Sequence, residues 1–295
     1  MRVNPQMAPD LLAALDRVSS AEQKVLTQMS SGLKIETPSD DPAGAAALVE
    51  VQADDDQNQQ YVANVNGMQM QMQAADSALS SVGSALQRAL SLAVEGGSAT
   101  LSDSDRSAIA NELSGIKDQL LELSNSTLQG VYLFAGTSSS AAAYIADTSS
   151  PSGIAYQGNS NSNQVEVGNN YYINANVPGS SIFGDGTNGV FKAMSDLISA
   201  VQNNSGIDSA TAAINTAINQ VSTARVQYGN AMNQLTSSQG ILNNEHVQFQ
   251  QQISNLSATD MAQAASEFAT AENSRNALLD VIAKANGTDL FDYLH

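Results

Sequence analysis

The chain has 295 residues, 11 of them basic and 29 acidic, which gives a net charge of −18 and a sequence pI near 4.1. That balance excludes a nucleic-acid backbone or an anionic membrane surface as the main partner. The absence of cysteine excludes a disulfide framework, a thiolate metal site, a thiol nucleophile and a thiol redox switch.

Tryptophan is absent, aromatics make up only 5%, and charged residues are 14% where a globule carries ~25%. Gln, Asn and Ser together supply about a third of the chain. The 42% hydrophobic fraction, spread over Ala, Leu, Val, Ile and Met, is too large for a disordered chain. Long Ala-rich helices with polar seams are the predicted solution, in place of a core filled by rings.

The first sixteen residues show no basic start followed by an apolar run, and no stretch approaches ~18 consecutive apolar residues. The expectation is a cytoplasmic protein or one exported without a cleaved signal peptide. Apolar positions then fall on a 4-3-4-3 ladder, the spacing that keeps one helix stripe against a partner helix. Leu11, Leu15, Val18, Val25 and Met29 open it, with Glu22 interrupting. Gly32 to Pro42 is rich in turn residues, and Asp41 precedes Pro42 as an N-cap precedes a first-turn proline.

A second, unbroken series runs through Tyr61, Val65, Met68, Met72, Ala75, Leu79, Val82, Leu86, Ala89 and Ala93, and Gly96-Gly97 stops it. Ser102 or Asp103 can cap a third helix carrying Ile109, Leu113, Ile116, Leu120 and Leu123, with Gly130 as its expected end. From about 132 to 183 the heptads give way to short alternating runs separated by Gly, Ser, Asn and Pro: 132–134, 164–167 and 171–177. That pattern predicts hairpins.

The heptads resume at Ile214, Ile218, Val221, Arg225, Tyr228, Met232, Leu235, Gln239, Leu242, His246, Phe249, Ile253 and Leu256. The polar members Arg225, Gln239 and His246 are the kind that fix register in a coiled coil. After a break at 258–260, the last helix carries Met261, Ala264, Phe268, Ala271, Arg275, Leu278, Ile282 and Ala285.

The fold class is therefore mainly α: an elongated antiparallel helical bundle or coiled coil built from N- and C-terminal arms, with a small β-rich insert. Neither arm can bury its stripe alone, so the termini are expected to pair in a folded-back rod. The expected division has three parts: 1–40 with 258–295 as a terminal coiled coil, 41–131 with 190–257 as a helical bundle, and 132–189 as a β-rich outer part.

No catalytic, cofactor or metal site is read. Of the two histidines, His246 lies on a heptad position and His295 is the last residue. Asp54-Asp55-Asp56 point to three helix faces and read as a solvated face. Gly184 to Gly189 lacks the Lys-Ser/Thr pair and strand-to-helix context of a phosphate loop and reads as a turn. Met68 and Met72 lie on the stripe and Met70 does not, so the three read as packing and not as a soft metal site. The triplets Asn125-Ser126-Thr127 and Asn255-Leu256-Ser257 are placed inside helices.

Met29-Ser30-Ser31-Gly32-Leu33-Lys34-Ile35, followed by Asp40-Asp41-Pro42-Ala43-Gly44, closely resembles the N-terminal motif of the flagellin superfamily: a helix end, a short spoke, and the opening of the next helix. Leu86 to Glu95 is similar to a further segment of that superfamily, and Asn255 to Ala285 to its C-terminal helix. Gly130 to Thr137, Ala155 to Asn159, Val177-Pro178-Gly179 with Phe183, and the ending Leu290 to Leu294 resemble the hook–filament junction branch. Leu90 and Ser91 stand where flagellins recognised by an innate immune receptor carry arginine and glutamate, so the resemblance does not extend to that recognition.

The resemblance implies a structural adaptor at the junction of flagellar hook and filament, exported without a cleaved signal peptide and located outside the cell. It would assemble as a ring with copies of itself and seed flagellin polymerisation. The implied partners are the first hook-associated junction protein, flagellin, a dedicated export chaperone and the flagellar type III export apparatus, with no cofactor.

The assembly stripe is assigned to Leu11, Leu15, Val18, Val25, Met29, Met261, Phe268, Leu278 and Ile282, and the spoke to Ser31, Gly32, Leu33, Asp40, Asp41, Pro42 and Gly44. Met261, Phe268, Leu278, Leu279 and Ile282 are the candidate chaperone contacts, with subunit packing as the alternative. Residues 1 to about 40 and from about 258 on are expected to fold only on assembly. The alternatives are a minor flagellin of the filament and, in a different class, a secreted coiled-coil tip protein or adhesin. An enzyme carried in the insert is a poor fit, since about fifty residues without a histidine-glutamate zinc motif leave little to carry one.

Overall fold

The computed structural model describes residues 7–291, and side chains within 9–284. The elements in order are α1 (Met7–Ser31), α2 (Pro42–Gly96), α3 (Asp103–Ser124), β1 (Thr127–Leu128), β2 (Val131–Tyr132), β3 (Tyr144–Ala146), β4 (Ile154–Tyr156), β5 (Gln164–Gly168), β6 (Tyr171–Asn174), α4 (Gly179–Ile182), α5 (Val190–Gln202), α6 (Ile207–Ser257) and α7 (Met261–Phe291). The fold is mainly helical with a small hairpin insert. None of the described helices is long and apolar enough to cross a membrane. Two compact units are present, residues 1–57 with 245–295 and residues 58–244.

In the unit 58–244 the heptad stripe is the core. Every member from Tyr61 to Ala93 is buried, as are Ile109, Leu113, Ile116 and Leu120 of α3 and Ile214, Val221, Tyr228, Leu235 and Leu242 of α6. Met68 and Met72 are buried and Met70 is exposed, as their heptad phases require.

The polar register positions find partners on α2. Arg225 Nε donates to Asp76 Oδ1 at 2.8 Å, and Gln239 Nε2 donates to Asn66 Oδ1 at 2.8 Å. A seam of this kind costs stability relative to leucine but disfavours a slip by one turn, since a slip would separate both pairs.

Helix ends follow local chemistry. Ser102 caps α3 through a reciprocal capping box with Asp105. α3 ends at Ser124, six residues short of the expected Gly130. Ser124 and Ser126 hydroxyls donate back to Leu121 and Leu123 carbonyls, satisfying acceptors that another turn of helix would have used. Asn125 then exchanges hydrogen bonds with the Tyr144 backbone, its Nδ2 donating to the carbonyl at 2.7 Å and its Oδ1 accepting from the N–H at 2.9 Å. Gly130 instead closes the β1–β2 hairpin: Gln129 at φ 53° and Gly130 at φ 82° form a two-residue turn of left-handed residues. The triplet at Asn125 therefore lies at a helix end and not inside a helix.

The insert consists of three separate antiparallel hairpins, β1–β2, β3–β4 and β5–β6. The last is bulged between Glu166 and Gly168. Residues 175–177, expected as strand, lie beyond β6, and β1, β3 and β4 are additional to the expected runs.

Rings scarce in the chain as a whole are concentrated here. Phe134, Tyr144, Tyr156, Phe183 and Phe191 form one cluster with centroid separations of 4.9–6.1 Å. Phe191 comes from α5, an amphipathic helix that the heptad ladder passes over. Its Phe191, Met194, Leu197 and Val201 are all buried. Gly184, Gly186 and Gly189 all have positive φ, consistent with the turn read at 184–189.

Candidate assembly interface

In the unit formed by the chain ends, α1 packs on α7. The stripe meets there but is only half covered. Val25 and Ala264 are buried, whereas Leu11, Leu15, Val18, Met29, Phe268, Leu278 and Ile282 are half-buried, and Met261 and Leu279 are exposed. Leu12, Leu26 and Val281 are also exposed, so apolar surface extends beyond the seam. Between the helices runs an open groove of about 370 Å³, floored by small residues such as Ala21, Ala271 and Ser274 beside Val18 and Val25.

Glu22, which interrupts the N-terminal ladder, is the seam's polar tie. Arg275 Nη1 donates to its Oε1 at 3.0 Å, pairing two heptad positions of opposite charge.

The spoke is built residue by residue. α1 stops at Gly32, whose φ of 73° suits glycine and whose N–H donates to the Gln28 carbonyl at 2.9 Å. The Ser31 hydroxyl accepts from the Leu33 N–H at 3.2 Å, and the chain then runs beside the α6–α7 break. There Lys34 N–H donates to Ser257 O at 2.6 Å and Thr259 N–H to Gly32 O at 2.9 Å, giving a single antiparallel bridge between Leu33 and Ala258. The two family segments at opposite ends of the sequence thus clasp each other through backbone.

Asp260 starts α7, its Oδ1 accepting from Ala262 N at 2.9 Å. Asp40 gathers the spoke's turn, with Oδ2 accepting from the Thr37 N–H at 2.9 Å and the Thr37 hydroxyl at 3.0 Å. Its Oδ1 lies 2.9 Å from Lys24 Nζ on α1. The lysine contact first, and the Thr37 donors after it, hold this carboxyl well below the usual carboxylate range.

Asp41 caps α2, accepting from the Gly44 N–H at 3.0 Å, with Pro42 at the first helical position. Gly44 has no room for a side chain. A Cβ there would stand 2.6 Å from Asp41 Oδ2 and 2.7 Å from Ile35 Cδ1. Ile35, the last residue of the Met29–Ile35 motif, is buried against this corner.

One feature here escaped the sequence reading. Asp54-Asp55-Asp56 is not uniformly solvated. Asp55 is buried, 2.6 Å from His246 Nδ1, and its Oδ2 accepts from Gln250 Nε2 at 2.9 Å. The signal was present in the heptad place of His246, which requires a facing partner on α2. Treating the three aspartates as one group concealed it.

Comparison with known proteins agrees with this geometry. A family model described as the bacterial flagellin N-terminal helical region matches residues 4–139, and one for the flagellin C-terminal helical region matches residues 211–294. The chain belongs to the bacterial flagellin family. Members of this family are structural proteins and not enzymes, and the chain is a flagellar component of that kind.

Among its relatives, flagellar hook-associated protein 3 of Salmonella typhimurium is 28% identical over 99% of both chains. The flagellin of Bacillus subtilis is 28% identical over 97% of this chain and 96% of its own. A solved flagellar hook-associated protein from Vibrio parahaemolyticus shares the fold, with a TM-score of 0.68 at 22% identity over 74% of this chain and all of that one. Flagellar hook associated protein-3 of Legionella pneumophila gives 0.66 at 12% identity, over 70% of this chain and 98% of its own. Asp292, Tyr293 and Leu294 of the ending read as hook-associated, and His295 after them, lie outside the described residues.

Proposed function

We propose that the protein is a structural adaptor at the junction between flagellar hook and filament, assembling as a ring through its terminal helices and seeding flagellin polymerisation. The observation that carries this reading is the similarity to a hook-associated protein 3 along 99% of both chains, helical arms and insert together. The half-covered seam of α1 and α7 supports it physically. Each exposed or half-exposed leucine there offers roughly 1 kcal/mol on full burial, and copies of the chain are the natural source of that cover.

Within the described residues, α1 with the spoke that follows it and α7 are the part that gains order on assembly, so the cost of fixing these helices is offset only when neighbours arrive. A chain without disulfides and with weakly closed ends suits export in the unfolded state through the flagellar type III apparatus to an extracellular site. Met261 and Leu279, exposed on α7, with Phe268, Leu278 and Ile282 beside them, are the surface for an export chaperone before subunits claim it. The first hook-associated junction protein and flagellin are the neighbours on the two sides of the ring.

Deleting the gene tests the proposal. Hooks should remain while flagellin is secreted unpolymerised, and normal filaments after deletion would contradict it. One observation favours a second reading: the Bacillus subtilis flagellin shares the same 28% identity as the hook-associated relative, over slightly less of each chain. A minor flagellin would label along the whole filament, whereas a junction subunit labels only its base.

A further inference from the structure

The charges of this chain avoid one level of the unit 58–244. On α2 no charged residue occurs across 58–75, and on the facing stretch of α6 none occurs across 226–244. The pair Asp76–Arg225 marks the end of both windows. The β1–β2 and β5–β6 hairpins packed at this level continue the pattern: 123–146 is uncharged, and Glu166 is the one charged residue across 148–184. Glu166 is already engaged by the Tyr61 hydroxyl at 3.3 Å and the Asn170 N–H at 3.2 Å. Contacts such as Asn64 Nδ2 to Glu166 O and Ser238 Oγ to Val167 O, both 2.8 Å, hold the hairpin against these windows.

The band also holds a groove of about 340 Å³ between α2 and the β1–β2 hairpin, lined by Gly67, Met70, Gln71, Leu128, Val131 and Val165. Met70 is 54% exposed and Val131 42%, although both are large apolar residues. No heavy atom lies within 4 Å of where a Cβ on Gly67 would stand, so the groove is open at that point. Tyr171, Tyr172 and Ile241, exposed in the same band, are side chains of a size the groove accepts.

We propose that this charge-poor band, with Glu166 as the carboxylate it retains, is the face through which copies of the chain meet side by side, with the groove beside Met70 seating an apolar side chain of a neighbouring copy. A second copy is the occupant that the charges favour. Two chains of −18 repel at close range, and screening at physiological salt acts over about 8 Å, so approach is cheapest where each copy presents the fewest charges. A partner chosen for opposite charge would sit on the acidic surface outside the band. Copies arranged about one axis with the same orientation place equal levels of the molecule next to each other, so the band faces itself in a heterologous contact of groove and projection. The inference rests on the ring reading above.

The test uses the full chain in cells lacking its gene. A photo-crosslinking residue at Met70 should give an adduct of twice the 30.7 kDa chain in isolated hook–filament particles. An adduct with flagellin or another flagellar protein, or no adduct from particles that contain the protein, overturns the proposal. Met70→Glu places charge in the band, and Gly67→Leu fills the groove without charge. Both should fold with unchanged circular dichroism and lower the number of filaments at least tenfold. If both restore filaments as well as the wild-type chain does, the band is not the contact and the junction reading stands. If the wild-type chain itself restores none, the junction reading fails and the proposal with it.

Discussion

The unit 58–244 and the unit formed by the chain ends use the same heptad spelling with different outcomes. From Tyr61 to Ala93 every stripe residue of α2 is buried, while the stripe of α1 from Leu11 to Met29 buries only Val25. The difference lies in cover and not in composition. The α2 stripe shares one hydrophobic core with residues of α3, α5, α6 and the hairpins, whereas α1 packs on α7 along an open groove. A heptad ladder therefore shows which face will be buried but not how many neighbours will do it. Where the chain supplies too few, part of the stripe stays uncovered, as it does from Leu11 to Met29.

The largest expected effect comes from the closed unit. Leu86→Ala removes a fully buried side chain and should cost about 2–5 kcal/mol of unfolding free energy in a urea melt. Leu15→Ala, at a half-buried position of α1, should cost the free chain less than about 1.5 kcal/mol yet impair filament formation in a complementation assay. Equal destabilisation by the two would erase the contrast between the units.

Next in size is His246→Ala, which takes a partner from buried Asp55 and should cost about 1–3 kcal/mol, with Asp55→Asn restoring part of the loss in the double variant. Tyr228→Phe comes next at about 1 kcal/mol. The Val177 N–H donates to the Tyr228 hydroxyl at 3.1 Å, and burial pushes that hydroxyl's pKa up to about 12. Because the folded value lies above the ordinary ~10, this tyrosine's contribution should be constant at neutral pH and fall as the pH rises past about 10.

The smallest effect belongs to the exposed spoke. Asp40→Asn should loosen the 36–40 turn, read as faster amide exchange at Thr37. The carboxyl is held below its ordinary value, so its contribution is complete above about pH 4 and declines as the pH falls toward the lowered folded value. The gap between wild type and variant should close on acidification, and a gap that widened would assign the contacts wrongly.

Much of this architecture was legible because it repeats. Ten stripe positions from Tyr61 to Ala93 can be read from spacing alone, and Arg225, Gln239 and His246 announced that facing polar partners must exist. What spacing could not supply was identity at a distance. Asp76, Asn66 and Asp55 become the partners only once α2 and α6 are set in register. α5 was passed over because its thirteen residues are too short to establish a heptad. The end of α3 was misplaced because Ser124, Asn125 and Ser126 stop it through side-chain bonds, a weaker signal in sequence than a glycine. The spoke was recognisable as a motif, yet its clasp onto Ser257 and Thr259 is made by backbone atoms, which no residue type reveals.

The central proposal is that the terminal pair is completed by neighbouring copies, while the heptad core of the unit 58–244 is closed within one chain. Amide hydrogen exchange followed by mass spectrometry, on the free chain and on assembled hook–filament particles, tests it most directly. The account predicts slow exchange in 61–93 and 109–123 in both states, and exchange in 11–29 and 264–282 that is fast in the free chain and slow in the particle. Protection of 11–29 in the free chain equal to that of 61–93 would contradict it.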